Sequence, residues 1–340
     1  MNTLEYKKNV SLAPLNTLGV GGDAEFFVTV TSDEEVREAV SFAKQQSLPI
    51  TVLGGGSNIL VADEGVQGLV IHMTSLGISS TVFKDTVELT VGAGEKLDDV
   101  VAYCVDHGLW GIENLSHIPG SIGASVVQNV GAYGVEAKDV ITSVKVYDSE
   151  LETFKSLSNT ECAFGYRDSL FKSTAGKKYI VCAVTLRVST VPNQQVSYKD
   201  LANLFKDSNP SLSDIRNAVI TIRAGKFPDW HTVGTAGSFF KNPIIPSSQF
   251  VELKKRYPEL PGFEVGDELV KIPLGWILDK ALELRGYQEG NVSTYEHQAL
   301  VLVAKENATA LEIEKFANNI VQKIKNEIGV VVEWEVTKIK

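Results

Sequence analysis

Cysteine is sparse in this 340-residue chain: Cys104, Cys162 and Cys182 lie far apart, are odd in number and never form a CxxC pair. That pattern excludes a disulfide framework and a thiolate metal cluster, and it points to a reducing compartment. Histidine is equally thin. His72, His107, His117, His231 and His297 include no HxxxH pair, so no catalytic metal is expected. No apolar run approaches the ~18 residues of a membrane span. Met1 to Ser11 also lack the basic start and apolar stretch of an export signal, so a cytoplasmic protein without a membrane partner is expected. A basic excess is missing too: the net charge of −10 argues against a nucleic-acid partner. Anionic small ligands would then have to be met locally, by backbone amides and converging Arg or Lys.

What the chain does have is 44% hydrophobic residues, enough for two or three structural units, and 28 glycines. Residues 26–30 have the pattern of a strand, 33–46 of a helix opened by Thr31-Ser32-Asp33, and 50–53 of a second strand. Residues 87–91 alternate apolar and polar, Gly92-Ala93-Gly94 breaks the run, and a helix follows over about 95–107. Further β patterns cover 140–147 and 179–188. After about residue 190, where eight of the eleven prolines fall, helices are expected at 211–224, 247–257, 274–284 and 309–328, then a strand over 330–336. The class is α+β.

Gly19-Val20-Gly21-Gly22-Asp23-Ala24 satisfies GxGxxA, but a dinucleotide fingerprint needs a strand before it and a helix after it, and here a strand follows. No GxxxxGK[ST] loop occurs. Leu53-Gly54-Gly55-Gly56-Ser57-Asn58 is better placed, because glycines directly after a buried strand can turn successive N–H groups toward one anion. A flexible strand connection is the alternative. A second small-residue segment, Ile118-Pro119-Gly120-Ser121-Ile122-Gly123-Ala124-Ser125, runs on to Gln128-Asn129-Val130-Gly131-Ala132-Tyr133-Gly134 and permits close approach of a flat or diphosphate ligand.

The ordered set Asn16-Thr17-Leu18-Gly19, Gly54 to Asn58, Gly92-Ala93-Gly94, Ile118-Pro119-Gly120, Gly131 to Gly134, Phe164-Gly165-Tyr166-Arg167-Asp168-Ser169 and Ala236-Gly237-Ser238-Phe239-Phe240-Lys241-Asn242-Pro243 resembles the UDP-N-acetylenolpyruvoylglucosamine reductase family over nearly the whole chain. Val196-Ser197-Tyr198-Lys199 looks like its long form, in which a tyrosine covers the substrate. The resemblance implies an FAD-binding fold of the vanillyl-alcohol-oxidase (PCMH) type over residues 1–190, in two α+β lobes of about 1–75 and 76–190. A connecting segment 191–225 carries Tyr198, an α+β substrate domain spans 226–330, and a C-terminal strand 331–340 carries Glu335. It implies cofactor contacts at Asn16, Thr17, Gly54, Gly55, Gly56, Ser57, Asn58, Pro119, Gly120, Ser121, Gly123, Ala124, Gln128, Gly131, Ala132 and Arg223. Catalysis falls to Arg167, Ser238 and Glu335, and substrate contacts to Tyr133, Tyr166, Tyr198, Lys226 and Asn242. The implied activity is NADPH-linked reduction, through noncovalent FAD, of UDP-N-acetylglucosamine enolpyruvate in peptidoglycan synthesis, by a monomer. Two departures stand out. Trp334 replaces the usual proline and Thr337 the usual arginine in Glu333-Trp334-Glu335-Val336-Thr337, and Tyr295 stands where a histidine is common.

The residue types suit that chemistry. Hydride addition to an enolpyruvyl methylene carbon pushes charge toward the carboxylate, which a fixed guanidinium such as Arg167 can hold through two hydrogen bonds. Taken alone, Arg167 reads more readily as the partner of Asp168 or another acid, and the resemblance reverses that order. Ser238 can protonate the carbanionic carbon, although a serine after Ala-Gly is often a turn residue. Glu335 can manage protons nearby, or be a solvated strand-edge carboxylate. Two rival readings are a flavin oxidase or dehydrogenase of the same fold acting on an alcohol or hydroxy acid, and a noncatalytic UDP-sugar sensor.

Overall fold

The computed structural model describes residues 4–206 and 208–340. They form two compact units that are discontinuous in sequence. The first takes residues up to 10, 24–56 and 67–223, and the second 11–23, 57–66 and 224–340.

In the first unit a four-stranded sheet runs in the order Lys7–Ser11, Asp23–Val30, Val66–Met73, Ile50–Leu53. Its last pair is parallel, with Leu53 opposite His72. Asp33–Gln45 is the connecting helix: Ser32 caps it by accepting from the Glu35 amide, Asp33, Glu34 and Glu35 meet the positive end of its dipole, and Val36, Ala39, Val40 and Ala43 form its buried stripe. A five-stranded antiparallel sheet follows, ordered Thr153–Ser158, Ile141–Asp148, Tyr179–Ser189, Thr86–Gly92, Ile78–Val82. Val87, Leu89 and Val91 point inward from Thr86–Gly92, as the alternation required, and join Val144, Val146, Val184 and Leu186 in one core. Helix Leu97–Asp106 lays Leu97, Val100, Val101 and Cys104 on that core. A smaller cluster joins Trp110 and Tyr133 to Leu201 from helix Lys199–Leu204 and to Leu212, Ile215 and Val219 from helix Leu212–Lys226.

The second unit is built on helix Ala310–Ile328. Thr309 and Glu312 form a reciprocal capping box, Gly329 ends the helix at φ 77°, and Ile313, Phe316, Ala317, Ile320 and Ile324 are buried along one face. Two three-stranded antiparallel sheets accompany it: Ile244–Pro246, Leu269–Lys271, Phe263–Glu264, and Gln288–Glu289, Val292–Thr294, Leu302–Ala304.

Two expectations need correction here. The helix expected over 274–284 is one α-turn, Leu274–Trp276, running into a π-turn, Ile277–Ala281. The expected strand 330–336 is absent from the sheets. Instead Thr337–Ile339 pairs in parallel with Ile59–Val61, and Glu335 precedes that strand. Alternation of buried Val330 and Val332 with exposed Val331 mimics a strand, but ladder partners decide where one forms. The Gly21-Gly22 bend leads into a strand, as argued. A Cβ on Gly21 would stand 2.4 Å from Val61 Cβ and one on Gly22 2.4 Å from the Asp63 carbonyl, so close packing accounts for both. Among the described residues no helix is long and apolar enough to cross a membrane, and no His, Cys, Asp and Glu side chains group to hold a metal.

Candidate active site

The Gly54-Gly55-Gly56 bend leaves the C-terminal end of strand Ile50–Leu53 and meets the Pro119-Gly120-Ser121 segment. A Cβ on Gly55 would lie 2.6 Å from Gly120 Cα, and one on Gly54 2.7 Å from Ser121 Oγ. At Gly55 the obstacle is backbone, so only glycine lets the two segments touch there, while at Gly54 a side chain would have to displace the Ser121 hydroxyl. Gly56 at φ 62° and Gly120 at φ 110° take left-handed backbone, which re-aims successive amides. Ser121 then caps helix Ile122–Val127 by accepting from the Ala124 amide at 3.3 Å. The Ile122 and Gly123 amides donate to the Glu95 and Ala93 carbonyls at 2.8 and 2.9 Å, locking the segment to the Gly92-Ala93-Gly94 break. Gly123 has a packing reason of its own, since its Cβ would meet Ala93 Cβ at 2.7 Å.

His117, just upstream, sits at φ 58° and is gripped from two sides. Its amide donates to Asp98 Oδ1 at 2.5 Å, and its carbonyl accepts from Arg223 Nε at 3.0 Å. Arg216 forks onto Asp98 at 2.7 and 3.0 Å. Burial alone would raise the Asp98 pKa, but the Arg216 fork and the His117 amide outweigh it and hold the carboxyl below its ordinary value. Arg223 also donates to the Tyr133 hydroxyl. Burial pushes that phenol up to about 12 against the pull of Arg223, and burial likewise lowers the guanidinium. Arg223 therefore bonds Tyr133 and the turn before Pro119 at once.

Tyr133 and Gly134, at φ 49° and 89°, make the two-residue turn between Gly131–Ala132 and Val135–Glu136. Tyr133 is only 8% exposed and meets Tyr198 edge-on at 5.4 Å between centroids, while Tyr198 is 46% exposed. Asn114, buried, donates to the Tyr133 carbonyl at 2.8 Å and the Gln195 carbonyl at 2.7 Å. The Arg167 turn packs on the same hairpin. Arg167 is left-handed at φ 53°, its Nη2 donates to the Gly131 carbonyl at 2.8 Å, and its guanidinium carbon is 5.6 Å from the Tyr166 ring centroid. Asp168 accepts from the Ser169 amide at 2.9 Å. Buried Asn129 ties hairpin and turn together, donating to Glu136 Oε2 and the Gly165 carbonyl, both at 2.9 Å, and accepting from the Lys138 amide. Gln128 is the residue closing helix Ile122–Val127.

In the second unit Ser238, Phe239 and Phe240 form an extended segment bonded on both sides. Phe239 N donates to the Leu300 carbonyl at 2.9 Å, and Glu335 N donates to the Phe239 carbonyl at 2.8 Å. Ser238 and Glu335 thus sit on neighbouring, directly bonded segments. Trp334 lies opposite Phe240 with its ring edge-on to Phe239 at 5.0 Å. The flanking bonds use the Glu333 carbonyl and the Glu335 amide, so this position accepts a proline or a Trp. Asn242 Oδ1 accepts from the Leu274 amide at 2.9 Å and caps that turn, while Lys226 ends helix Leu212–Lys226. Asn58 Nδ2 donates to the Glu335 carbonyl at 3.2 Å, and Thr337 N to the Asn58 carbonyl at 3.1 Å. Asn16 is buried with its side chain engaged three times: Nδ2 donates to the Leu12 and Val20 carbonyls and Oδ1 accepts from Gly19 N. Thr17 Oγ1 donates to the Thr235 carbonyl at 2.6 Å.

Residues 24–155 match a family model described as an FAD binding domain, and residues 229–339 one described as the C-terminal domain of UDP-N-acetylenolpyruvoylglucosamine reductase. The chain is 40% identical over 327 residues to the UDP-N-acetylenolpyruvoylglucosamine reductase of Neisseria gonorrhoeae, covering 94% of this chain and 93% of that one. It is 38% identical to that of Pseudomonas savastanoi over 98% of both. This chain belongs to the UDP-N-acetylenolpyruvoylglucosamine reductase family. The reductase of Thermus caldophilus, a solved structure 25% identical, superimposes with a TM-score of 0.68 over 99% of both chains. The α+β architecture of this reductase family member is thus an FAD-binding fold of the vanillyl-alcohol-oxidase type followed by the family's C-terminal domain. At the seam of Gly54-Gly55 on Gly120-Ser121 two glycine bends approach as closely as backbone can, a side-chain-free surface of the kind a dinucleotide diphosphate needs. Sequence reasoning passed over Asp98, Asn114, Asn129 and Thr235. Their partners are remote in sequence, and nothing local marks them.

Proposed function

We propose that the chain reduces UDP-N-acetylglucosamine enolpyruvate to UDP-N-acetylmuramate, with FAD and NADPH, in peptidoglycan synthesis. The observation that carries this reading is the glycine seam between Gly54-Gly55 and Gly120-Ser121 in a member of this family. The hydride, which no side chain can deliver, is the chemistry that bound FAD contributes, with NADPH as its source. Backbone of Gly54 to Asn58, Pro119 to Ala124, Gln128 and Gly131-Ala132 holds the cofactor noncovalently, with Arg223 alongside.

Arg167 grips the substrate carboxylate. As hydride adds to the methylene carbon, electrons move toward that carboxylate, and a guanidinium already fixed on the Gly131 carbonyl stabilises them without reorganising. Ser238 gives its hydroxyl proton to the adjoining carbon and regains one from solvent, with Glu335 on the neighbouring segment managing that exchange. Tyr133, Tyr166 and Tyr198 present rings and hydroxyls to the sugar nucleotide, Lys226 meets its diphosphate and Asn242 its polar groups. Residues 1–190 are assigned to cofactor, 191–225 to the covering segment, and 226–330 with 331–340 to substrate. The protein acts as a cytoplasmic monomer.

Stopped-flow absorbance tests this. NADPH should bleach bound flavin equally in wild type and Ser238→Ala, while reoxidation by the enolpyruvyl sugar nucleotide slows by orders of magnitude only in the variant. Equal reoxidation removes Ser238 from the mechanism, and a folded protein that takes up no flavin removes the mechanism altogether.

A further inference from the structure

Thr17 lies on a stiff loop, because the Asn16 side chain bonds Leu12, Val20 and Gly19 around it. From that loop Thr17 reaches one target. Its hydroxyl donates to the Thr235 carbonyl at 2.6 Å, and the Thr235 amide donates back to the Thr17 carbonyl at 2.9 Å. Thr235, buried, accepts in turn through its own Oγ1 from the Gly237 amide at 3.2 Å. Gly237 is left-handed at φ 68° and sends the chain directly into Ser238, whose far side is pinned by the bond from Phe239 N to Leu300. Two hydrogen bonds and one peptide therefore connect the Thr17 hydroxyl to the serine.

We propose that Thr17 is a positioning residue for Ser238, acting through Thr235 and Gly237 rather than by touching a cofactor. The proposal rests on the reading of Ser238 as proton donor. A proton donor must sit within about 3 Å of the carbon it serves, and a displacement near 1 Å can slow a reaction by up to ~100-fold. Thr17→Val keeps the side-chain size and the Thr235 amide bond, so the loop remains attached while the carbonyl loses its hydroxyl donor. Thr17→Ser restores that donor.

The test compares wild type, Thr17→Val and Thr17→Ser as flavin-loaded enzymes. Expected are unchanged flavin affinity and NADPH reduction, reoxidation by the enolpyruvyl sugar nucleotide slowed about tenfold in Thr17→Val with a larger solvent deuterium effect, and near wild-type rates in Thr17→Ser. Amide exchange at residues 237–239 should quicken in Thr17→Val alone. Wild-type reoxidation in Thr17→Val overturns the proposal, as does a loss of flavin affinity matching the loss of rate. If wild type itself is not reoxidised by that substrate, the functional reading fails. The exchange data then still decide whether Thr17 holds the Ser238 segment.

Discussion

Gly55→Ala is the sharpest probe of the glycine seam. Gly55 does not sit at positive φ, so alanine there meets a steric obstacle alone. Its Cβ would stand 2.6 Å from Gly120 Cα and 3.0 Å from both Gly120 C and Ser121 N, where ordinary contact begins at 3.4 Å. The two bends must separate by roughly 1 Å, because the obstacle is backbone, anchored by the bond from Leu97 N to the Gly120 carbonyl at 3.0 Å, and not a side chain that can rotate aside. Overpacking of this kind costs about 1–3 kcal/mol. Ligand-free protein can relax by opening the seam, whereas a diphosphate held by both bends demands the original spacing, so the cost falls on binding. At about 2 kcal/mol the flavin Kd rises roughly thirtyfold. Gly54→Ala should do less, because its nearest neighbour is Ser121 Oγ, which can rotate with loss of a helix cap worth about 0.5–2 kcal/mol. Gly275→Ala has nothing within 4 Å and serves as the control. Flavin fluorescence quenching, titrated into deflavinated protein, reads all three. Wild-type affinity in Gly55→Ala, with melting lowered equally with and without flavin, would refute the assignment of the seam to the cofactor.

Other outcomes follow from the same geometry. Arg167→Lys loses the planar fork, so reoxidation by substrate should fall about 100-fold or more while NADPH reduction holds; equal losses in both half-reactions would deny Arg167 its role. Asp98 has a depressed pKa when folded, so its stabilisation is present above the unfolded value near 3.8 and disappears as pH falls through the lower folded one. Urea melts of wild type and Asp98→Asn should therefore differ most above about pH 5 and converge in acid; a constant gap would contradict this. Burial pushes Cys104 and Cys182 up to about 12 and Cys162 to about 11. A disulfide reagent at pH 8 should label none of the three in native protein and all of them in urea; fast native labelling would contradict their burial.

Much of this was visible in local pattern. The helix at Ala310–Ile328 announced itself by its apolar periodicity, and the strand Thr86–Gly92 by alternation, because both signals arise within a few neighbouring residues. The glycine bends were visible as bends. That Gly56 and Gly120 serve conformation while Gly54, Gly55 and Gly123 serve contact was not, because contact glycines are explained by atoms far away in sequence. Likewise the last strand was placed too early, since only pairing with Ile59–Val61 singles out Thr337–Ile339 over the more apolar stretch before it.

Residue order determined the resemblance to the family, and through it the chemistry proposed for this chain: an always-charged fork at Arg167, a hydroxyl at Ser238, a carboxylate at Glu335 and two small-residue bends suited to an anion. Tertiary structure decided which of the named side chains bond to the protein itself and which segments they tie together. Asn16 and Thr17 bond to protein, Arg223 braces Tyr133 and His117, and Glu335 joins the Ser238 segment through a backbone bond. The physical reason is that a hydrogen bond is a matter of distance and direction in space, and a linear order of residues fixes neither until the chain has folded.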